Sequence, residues 1–230
     1  MKENSLALNI SRRRFLKYSS ICSLTTSSIS SAATKEEFSL KYILSSSMYG
    51  TIALPKIMNE AKKLKILTLD IWPLVHGNQR EQMEKMGHDN FKQLLDLNNI
   101  KLGSITRYDL GPFNLQNEMK VCSKLGGDLL VCGGKGPKGL SGNDLKSAIK
   151  SFTEKIKPYI AAAEKIGIKI GIENHSNNLI NTPDSLKWLL DFLPSKNLGV
   201  ALAPYHLETL GLNEKNISQL IETLGDNLFL

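Results

Sequence analysis

A short segment around residue 173 places three chemically useful side chains directly after a run of apolar residues. The run covers residues 168–172, and Glu173, Asn174 and His175 follow it. A carboxylate, an amide and an imidazole can hydrogen-bond to a ligand, and the first and last can exchange protons. Because most of the preceding residues are of buried types, we interpret Glu173 as a functional group. The alternative is a structural carboxylate that pairs with a neighbouring strand.

Polar and aromatic side chains also follow several other apolar runs, close to the end of each run. This distribution is typical of a site built at the carboxyl ends of parallel strands. Loops after strands are polar in other folds too, so the pattern favours such a site without requiring it. The residues are Asp70, Trp72 and His76; Arg107, Tyr108 and Asp109; Lys135 and Lys138; and Tyr205 and His206.

The elements that must position these residues alternate along the chain. Helical periodicity is clear at Leu145, Ile149, Phe152 and Ile156, and Thr182 precedes another helix as an N-cap. This alternation of strands and helices predicts parallel βα units. The strand-like runs are residues 41–46, 65–71, 101–106, 128–132, 168–172, 198–202 and 228–230.

Two architectures are built from such units, namely a closed eight-fold barrel and an open doubly wound sheet. The open sheet usually has a glycine-rich turn after its first strand, whereas residues 45–50 here read Ser-Ser-Ser-Met-Tyr-Gly. We therefore predict an α/β fold of the (β/α)8 TIM barrel type over residues 34–230. About seven strands are expected, and we expect the barrel to be incomplete because the sequence stops inside the run 228–230.

Four segments carry motifs at the ends of these runs. They are Leu-Asp-Ile-Trp-Pro at 69–73 with His-Gly-Asn-Gln-Arg at 76–80, Thr-Arg-Tyr-Asp-Leu-Gly-Pro at 106–112, Ile-Lys-Ile-Gly-Ile-Glu-Asn-His at 168–175, and Leu-Gly-Val-Ala-Leu-Ala-Pro-Tyr-His-Leu at 198–207. Together they resemble the sugar phosphate isomerase/epimerase group of xylose isomerase-like barrels, from about residue 41 onward. The resemblance implies the barrel fold but does not specify a substrate.

The resemblance also implies one divalent metal ion, which the family usually holds with a Glu, an Asp, a His and a second Glu from its later strands. Glu173 matches the first ligand. The Asp-x-x-His motif of strand six has Ala203 in place of its aspartate, so the usual carboxylate is missing. His206 matches a residue that contacts substrate in relatives, and we consider it as a recruited ligand; the remaining ligands would lie beyond residue 230. Oxygen and nitrogen ligands suit Mn²⁺, Mg²⁺, Co²⁺ or Zn²⁺ without selecting one.

The reaction implied by the resemblance is isomerisation or epimerisation of a sugar or keto-sugar by proton transfer next to a carbonyl. The metal would polarise the carbonyl oxygen while a carboxylate moves the proton. We predict Glu173 and His206 as catalytic residues and metal ligands. Several predicted substrate contacts have ordinary packing or loop hydrogen bonding as their alternative. These contacts are Asp70, Trp72, His76, Tyr108, Lys135, Asn174, His175 and Tyr205.

Two other functions stay open from the sequence. A non-catalytic or truncated exported carbohydrate-binding barrel is favoured by Ala203 and by the end of the chain in an apolar run. A zinc-dependent phosphodiesterase resembling the endonucleases of this fold is less favoured, because clustered zinc sites need many histidines and the chain has four.

The first residues carry an export signature. Residues 11–17 read Ser-Arg-Arg-Arg-Phe-Leu-Lys, which resembles a twin-arginine signal, and a modest apolar run and small residues follow. We predict a signal peptide over residues 1–33, recognition by the twin-arginine translocation machinery, and a periplasmic or extracellular location. The segment is too short and serine-rich for stable membrane insertion. An unphosphorylated substrate is favoured, because phosphorylated sugars are scarce outside the cytoplasm.

Composition excludes one class of partner. The formal net charge is +7, and it falls to +3 without residues 1–33. Since no basic run is interleaved with aromatic residues, we predict no nucleic-acid binding and expect a small carbohydrate as the ligand; an oligomer is left open. Cys122 and Cys132 lie among apolar neighbours and are interpreted as buried thiols, with a disulfide as the alternative.

Overall fold

The sheet consists of parallel strands that pair in their order along the chain. A computed structural model describes residues 40–230. Its strands are β1 (Leu44–Ser45), β2 (Thr68–Ile71), β3 (Lys101–Thr106), β4 (Leu129–Gly133), β5 (Lys169–Glu173) and β6 (Leu198–Ala201). These six strands of the described part form one sheet in the order β1 to β6. A doubly wound sheet reverses its strand order, whereas a barrel adds each strand beside the last. The predicted α/β barrel fold is therefore confirmed.

Helices connect the strands, and their apolar sides follow the predicted 3.6-residue period. Leu145, Ile149 and Phe152, which belong to one long helix, are all buried. The Thr182 side chain accepts a hydrogen bond from Ser185 N, as expected of an N-cap. Between residues 40 and 230 the helices are α1 (Leu54–Lys63), α2 (Gln79–Met86), α3 (His88–Leu97), α4 (Gln116–Lys124), α5 (Gly142–Ile166), α6 (Pro183–Phe192), α7 (Pro204–Glu208) and α8 (Glu214–Leu224).

The two faces of the sheet have different surroundings, because successive side chains of a strand point to opposite sides. On one face, residues such as Ile170 and Val200 join the main core with the helices. The other face holds a separate small cluster, which we assign to the barrel interior. This interior cluster consists of Leu129, Val131 and Ala201, with Phe229 packed against them.

The two ends of the sheet are shorter than predicted. The first strand covers only Leu44–Ser45, because the chain turns into a 3₁₀ helix at Ser46, whose Oγ accepts a 2.9 Å hydrogen bond from Trp72 N. The run at 228–230 pairs with β6 through one parallel bridge, Val200 to Leu228. The sheet of residues 40–230 therefore has six strands and a bridged segment in place of the seven predicted strands.

Some predictions concern residues outside the described part. The predicted signal peptide, residues 1–33, lies there, and export stays a prediction. Within residues 40–230, the helices are all too short or too polar to cross a bilayer. Cys122 and Cys132 are buried free thiols, as predicted, so the disulfide alternative is wrong. Burial raises the pKa of each thiol to about 12.

Candidate functional site

Two cavities adjoin at the carboxyl ends of the strands, which is the end where barrel enzymes place their chemistry. The inner cavity has a volume of about 190 Å³, and its lining includes Asp70 and Glu173. The outer cavity has a volume of about 290 Å³, and Glu173, His175 and His206 border it. Glu173 therefore faces both cavities. The structure brings together these four predicted site residues from β2, from β5 and its following loop, and from α7.

A third cavity lies beside them and is walled by aromatic residues. This side cavity, of about 220 Å³, is bordered by Trp72, His76, Tyr108 and residues 73–75. The Trp72 ring lies 5.5 Å from the His76 ring, edge to face, and 5.3 Å from the tilted Tyr108 ring. Trp72 and Tyr108 also border the inner and outer cavities, and we refer to the three cavities around these shared rings as the groove.

Asp70 is the buried carboxylate of the inner cavity. It is 4% exposed, and it accepts hydrogen bonds from Thr106 Oγ1 at 3.0 and 3.1 Å and from Trp72 Nε1. Burial raises the pKa of Asp70 to about 6, while the surrounding side chains of Ser104, Trp72, Thr106 and Ser45 oppose the rise. Asp70 is thus fixed in position, and its hydrogen bonds keep it ionised at neutral pH.

Glu173 is the last residue of β5 and is partly exposed to the groove. Burial raises its pKa to about 7, and the negative charge of Asp70 contributes to the rise. A carboxyl group that is half protonated near neutral pH can both accept and return a proton. Side chains alternate between the two faces of β5. Ile170 and Ile172 face the core formed with the helices, so Glu173 points to the other face.

His175 and His206 lie against each other at the rim of the outer cavity. Their ring centroids are 4.0 Å apart. The pKa of His175 is lowered by burial first and then by the charges of His206 and Lys138, which favours a neutral imidazole. The Nδ1 atom of His206 is buried and has no hydrogen-bond partner within residues 40–230. A buried nitrogen without a partner is a candidate contact for a bound ligand.

Three predicted substrate contacts lie away from the lining of the three cavities. Asn174 is fully buried and clamps the segment after β6, because its Nδ2 donates to Ala203 O at 2.9 Å and its Oδ1 accepts from Ala203 N at 2.7 Å. Lys135 is exposed and packs over Gly111. Tyr205 is 69% exposed beside His206.

The glycine-rich segment at 133–139 packs against the loop after β5. A side chain at Gly134 would meet Ile180 at 2.6 Å, and one at Gly136 would meet Leu179 at 2.7 Å. These glycines therefore permit close contact between two loops.

An ion-pair network that the sequence did not reveal supports the aromatic wall. Glu118 of α4 accepts hydrogen bonds from Arg80 at 2.5 and 3.1 Å and from Arg107 at 2.7 Å, and its side chain is 4% exposed. Arg107 also pairs with Asp109 at 2.7 Å. Burial works to lower the pKa of Arg107, but these carboxylates raise it overall. Because Tyr108 lies between Arg107 and Asp109, the network fixes the loop that carries its ring.

A divalent cation needs several oxygen, nitrogen or sulfur ligands close together. Within residues 40–230, no group of three His, Cys, Asp or Glu side chains lies close enough to hold an ion. Glu173 and His206 border one cavity, but Ala203 has a methyl group where the motif implied by the family resemblance has a carboxylate. The described residues therefore do not form a complete metal site, and the metal cofactor stays a prediction.

A larger cavity lies elsewhere in the described part. It has a volume of about 770 Å³ and is bordered by Lys169, Ser195 and Phe229. Lys169 begins β5, so this cavity lies at the amino end of the strand, opposite to Glu173. Barrel chemistry is found at the other end. We therefore assign the candidate site to the smaller groove.

Solved structures with the same architecture support the barrel fold. A probable 3-DHS dehydratase, AsbF from Bacillus anthracis, matches with a TM-score of 0.67 and 15% identity over 82% of this chain and 71% of its own. The IOLI protein with a bound zinc atom matches with a TM-score of 0.66 and 18% identity over 83% of this chain and 71% of its own. The 3-keto-D-glucoside 4-epimerase YcjR from E. coli matches with a TM-score of 0.64 and 13% identity over 83% of this chain and 77% of its own. At these identities the matches show the fold alone.

Sequence comparisons identify the family. A search of curated protein sequences gave no significant match. The profile described as Xylose isomerase-like TIM barrel matches residues 60–229, which is well over half of the sequence. The order of the strands and the position of the groove agree with that description. The chain belongs to the xylose isomerase-like TIM barrel family.

Proposed function

We propose that this protein is an isomerase or epimerase that moves a proton next to the carbonyl group of a sugar or keto-sugar. The observation that carries the proposal is Glu173, a half-buried carboxyl group with a pKa raised to about 7 that borders two cavities. The aromatic rings of Trp72 and Tyr108 offer apolar faces to the C–H groups of a sugar. One matched structure, 3-keto-D-glucoside 4-epimerase, supports the substrate class.

In the proposed reaction, ionised Glu173 removes the proton from the carbon next to the carbonyl. The C–H bond breaks, its electron pair moves towards the carbonyl oxygen, and an O–H bond forms on Glu173. Ser47, His175 and Tyr108 border the outer cavity and offer hydrogen-bond donors to the developing negative oxygen. In an isomerase, the hydroxyl proton on the carbon that lost its hydrogen moves to the negative oxygen, that carbon becomes the new carbonyl, and Glu173 returns its proton to the former carbonyl carbon. In an epimerase, a donor on the opposite face returns a proton to the same carbon.

The predicted divalent ion belongs to this proposal as a cofactor, but the proton transfer itself is carried out by Glu173. Glu173 and His206 would be the ligands from the described residues, and the zinc in the matched IOLI structure supports a search for one. Metal analysis of the purified protein after incubation with Mn²⁺, Mg²⁺, Co²⁺ or Zn²⁺ tests it. Retention of one ion that Glu173→Gln loses supports the prediction, and equal retention by the variant contradicts it.

Solvent exchange of a sugar proton is the direct test of the reaction. Ketohexoses and 3-keto-glucosides are incubated with the protein in D₂O, with each metal or with a chelator, and followed by ¹H NMR. We expect loss of the signal of the proton next to the carbonyl with the wild type and not with Glu173→Gln. Glu222→Gln, an exposed change on α8, is the matched control and should keep the wild-type rate. Exchange at the same rate in Glu173→Gln would overturn the proposal.

A second candidate is a carbohydrate-binding barrel without turnover. Ala203 favours it, because the chain has no carboxylate at a position where relatives place a metal ligand. The test is binding of the same sugars, measured by calorimetry, together with the exchange experiment. Binding without exchange under every metal condition selects this candidate. The zinc phosphodiesterase alternative gains no support from the described residues, because they hold no three-donor cluster.

We also propose that the protein is exported through the twin-arginine pathway. The support is the motif at residues 11–17. A fusion of residues 1–40 to a reporter that is active only outside the cytoplasm tests it. We expect reporter activity that is lost when Arg12 and Arg13 are both replaced by lysine, and activity independent of both arginines would contradict the proposal.

A further inference from the structure

The groove extends beyond the two cavities that border Glu173. The inner and outer cavities, at about 190 and 290 Å³, are each below the roughly 300 to 1,000 Å³ typical of small-molecule sites. The side cavity adds about 220 Å³ and does not border Glu173. This additional space shares the walls of Trp72 and Tyr108 with the cavities that border Glu173, so it is suited to a part of the substrate that does not react.

The side cavity is apolar in its walls and at its rim. Residues 73–75 contribute proline, leucine and valine, and the side chains of Leu74 and Val75 are 57% and 92% exposed. Scattered exposed apolar residues are common, but here two adjacent ones border an aromatic cavity. The carboxylate in the lining, Asp109, is already paired with Arg107 at 2.7 and 2.9 Å. The cavity therefore favours an uncharged, flat apolar group.

The walls are held in place without a ligand. Trp72 N donates to Ser46 Oγ at 2.9 Å, and Arg80 N donates to Trp72 O at 3.0 Å. Leu74 N donates to Glu81 Oε1 at 3.2 Å. A wall that is ordered before binding loses little conformational entropy when the ligand arrives. The side cavity thus has the properties of a formed subsite.

We infer that the substrate is a keto-glycoside whose apolar aglycone occupies the side cavity between Trp72, His76 and Tyr108, with Leu74 and Val75 at the rim. This inference rests on the proposed function. A glycoside has no free carbonyl at its anomeric carbon, so the reacting carbonyl is a ring ketone. The reaction is then epimerisation or proton exchange beside that ketone, and isomerisation between an aldose and a ketose is excluded.

A pair of probes tests the subsite. The 3-keto derivatives of methyl and phenyl β-glucoside differ only in the aglycone, and kcat/KM for proton exchange is measured for both in D₂O. We expect a phenyl preference of about tenfold, because the ring buries apolar surface that the methyl group does not. Val75→Ser should reduce the ratio of the two rates towards one. Leu97→Ser, which changes an 82% exposed leucine at the end of α3, is the matched control and should keep the wild-type ratio.

The outcomes separate the subsite from the reaction. Equal kcat/KM values for the two probes, or an unchanged ratio in Val75→Ser, overturn the subsite while the exchange itself supports the proposed function. Binding of phenyl β-glucoside, which has no ketone, is measured in parallel by calorimetry against methyl β-glucoside. A phenyl preference in binding that Val75→Ser removes supports the subsite even if exchange is absent, in which case the proposed function alone fails.

Discussion

On the β2–β3 side of the barrel mouth, the charged groups are held by other protein groups. Asp70 accepts hydrogen bonds from Thr106, and Glu118 binds two arginines. On the β5–β6 side, Nδ1 of His206 has no partner in the described part of the chain, and Glu173 has a pKa raised to about 7. The first side is therefore organised before a ligand binds, whereas the second has groups whose partners a ligand can supply.

This difference separates stability from reactivity. Removing a member of a satisfied buried network leaves a charge without its partner, so the first side should control stability. Both Asp70 and Glu173 have a raised pKa, but Asp70 is buried and held by its neighbours whereas Glu173 is partly exposed to the groove, so the second side should control activity. Substitutions on each side test this division.

The largest expected effect is on activity, at Glu173. Glu173→Gln should reduce proton exchange by about 100- to 10,000-fold, because general acid–base catalysis contributes factors of that size. Its free energy of unfolding at pH 8 should not fall, since an ionised group in a partly buried site is removed. Proton exchange is measured by NMR, and the free energy of unfolding is measured by urea unfolding followed by circular dichroism. A large loss of stability with activity retained would reverse the assigned roles of the two sides.

Glu118→Ala should produce the largest loss of stability. Arg80 and Arg107 would be left partly buried without their shared carboxylate, and breaking such a network costs about 3 to 5 kcal/mol. Glu84→Ala is the matched control, because its side chain is 62% exposed and also pairs with Arg80; surface pairs contribute about 1 kcal/mol or less. Urea unfolding compares the variants, and equal losses would show that the buried network adds nothing.

Asp70 should make stability depend on pH. Its pKa is raised on folding, from 3.8 to about 6, so its protonated form stabilises the fold below about pH 4, and this contribution is lost as the pH rises through 6. The loss amounts to about 3 kcal/mol at most, since one pH unit corresponds to about 1.4 kcal/mol. Between pH 4 and 7, the unfolding free energy should fall more steeply in the wild type than in Asp70→Asn. If the unfolding free energies of the two proteins changed equally with pH, Asp70 would not contribute to the pH dependence of stability.

The smallest expected effect is a shift in the pH dependence of exchange. The rate should rise with pH through about 7, because Glu173 acts as a base only when ionised. In Asp70→Asn the negative charge that helps to raise the Glu173 pKa is gone, so the midpoint should move to lower pH. Burial, the larger cause, remains, so the midpoint should stay above 4.5. Values of kcat/KM between pH 5 and 9 test this, and an upward shift would contradict it.

Local sequence patterns were sufficient to predict most of the fold. The period of the apolar residues predicted α5, and the alternation of strands and helices predicted the parallel sheet. The ends of the sheet were less predictable. The turn at Ser46 depends on a hydrogen bond from Trp72, 26 residues away, and such a contact leaves no local signal.

The site was predictable only in part, because a residue type near a strand end does not give the direction of its side chain. Asn174 follows Glu173 directly, yet it turns inward and binds Ala203. The network around Glu118 was missed because Arg80 lies 38 residues away in the sequence. Ser47 borders the outer cavity but was not singled out, since serines are common in turns.

The position of Trp72 has a practical consequence for spectroscopy. The sequence contains two tryptophans, and the other one, Trp188, lies on α6 with Lys146 above its ring. Because only Trp72 borders the three cavities, replacing Trp188 by phenylalanine leaves a single indole emission from the groove. That emission becomes a direct optical signal for occupancy, and it can rank candidate sugars before any turnover is known.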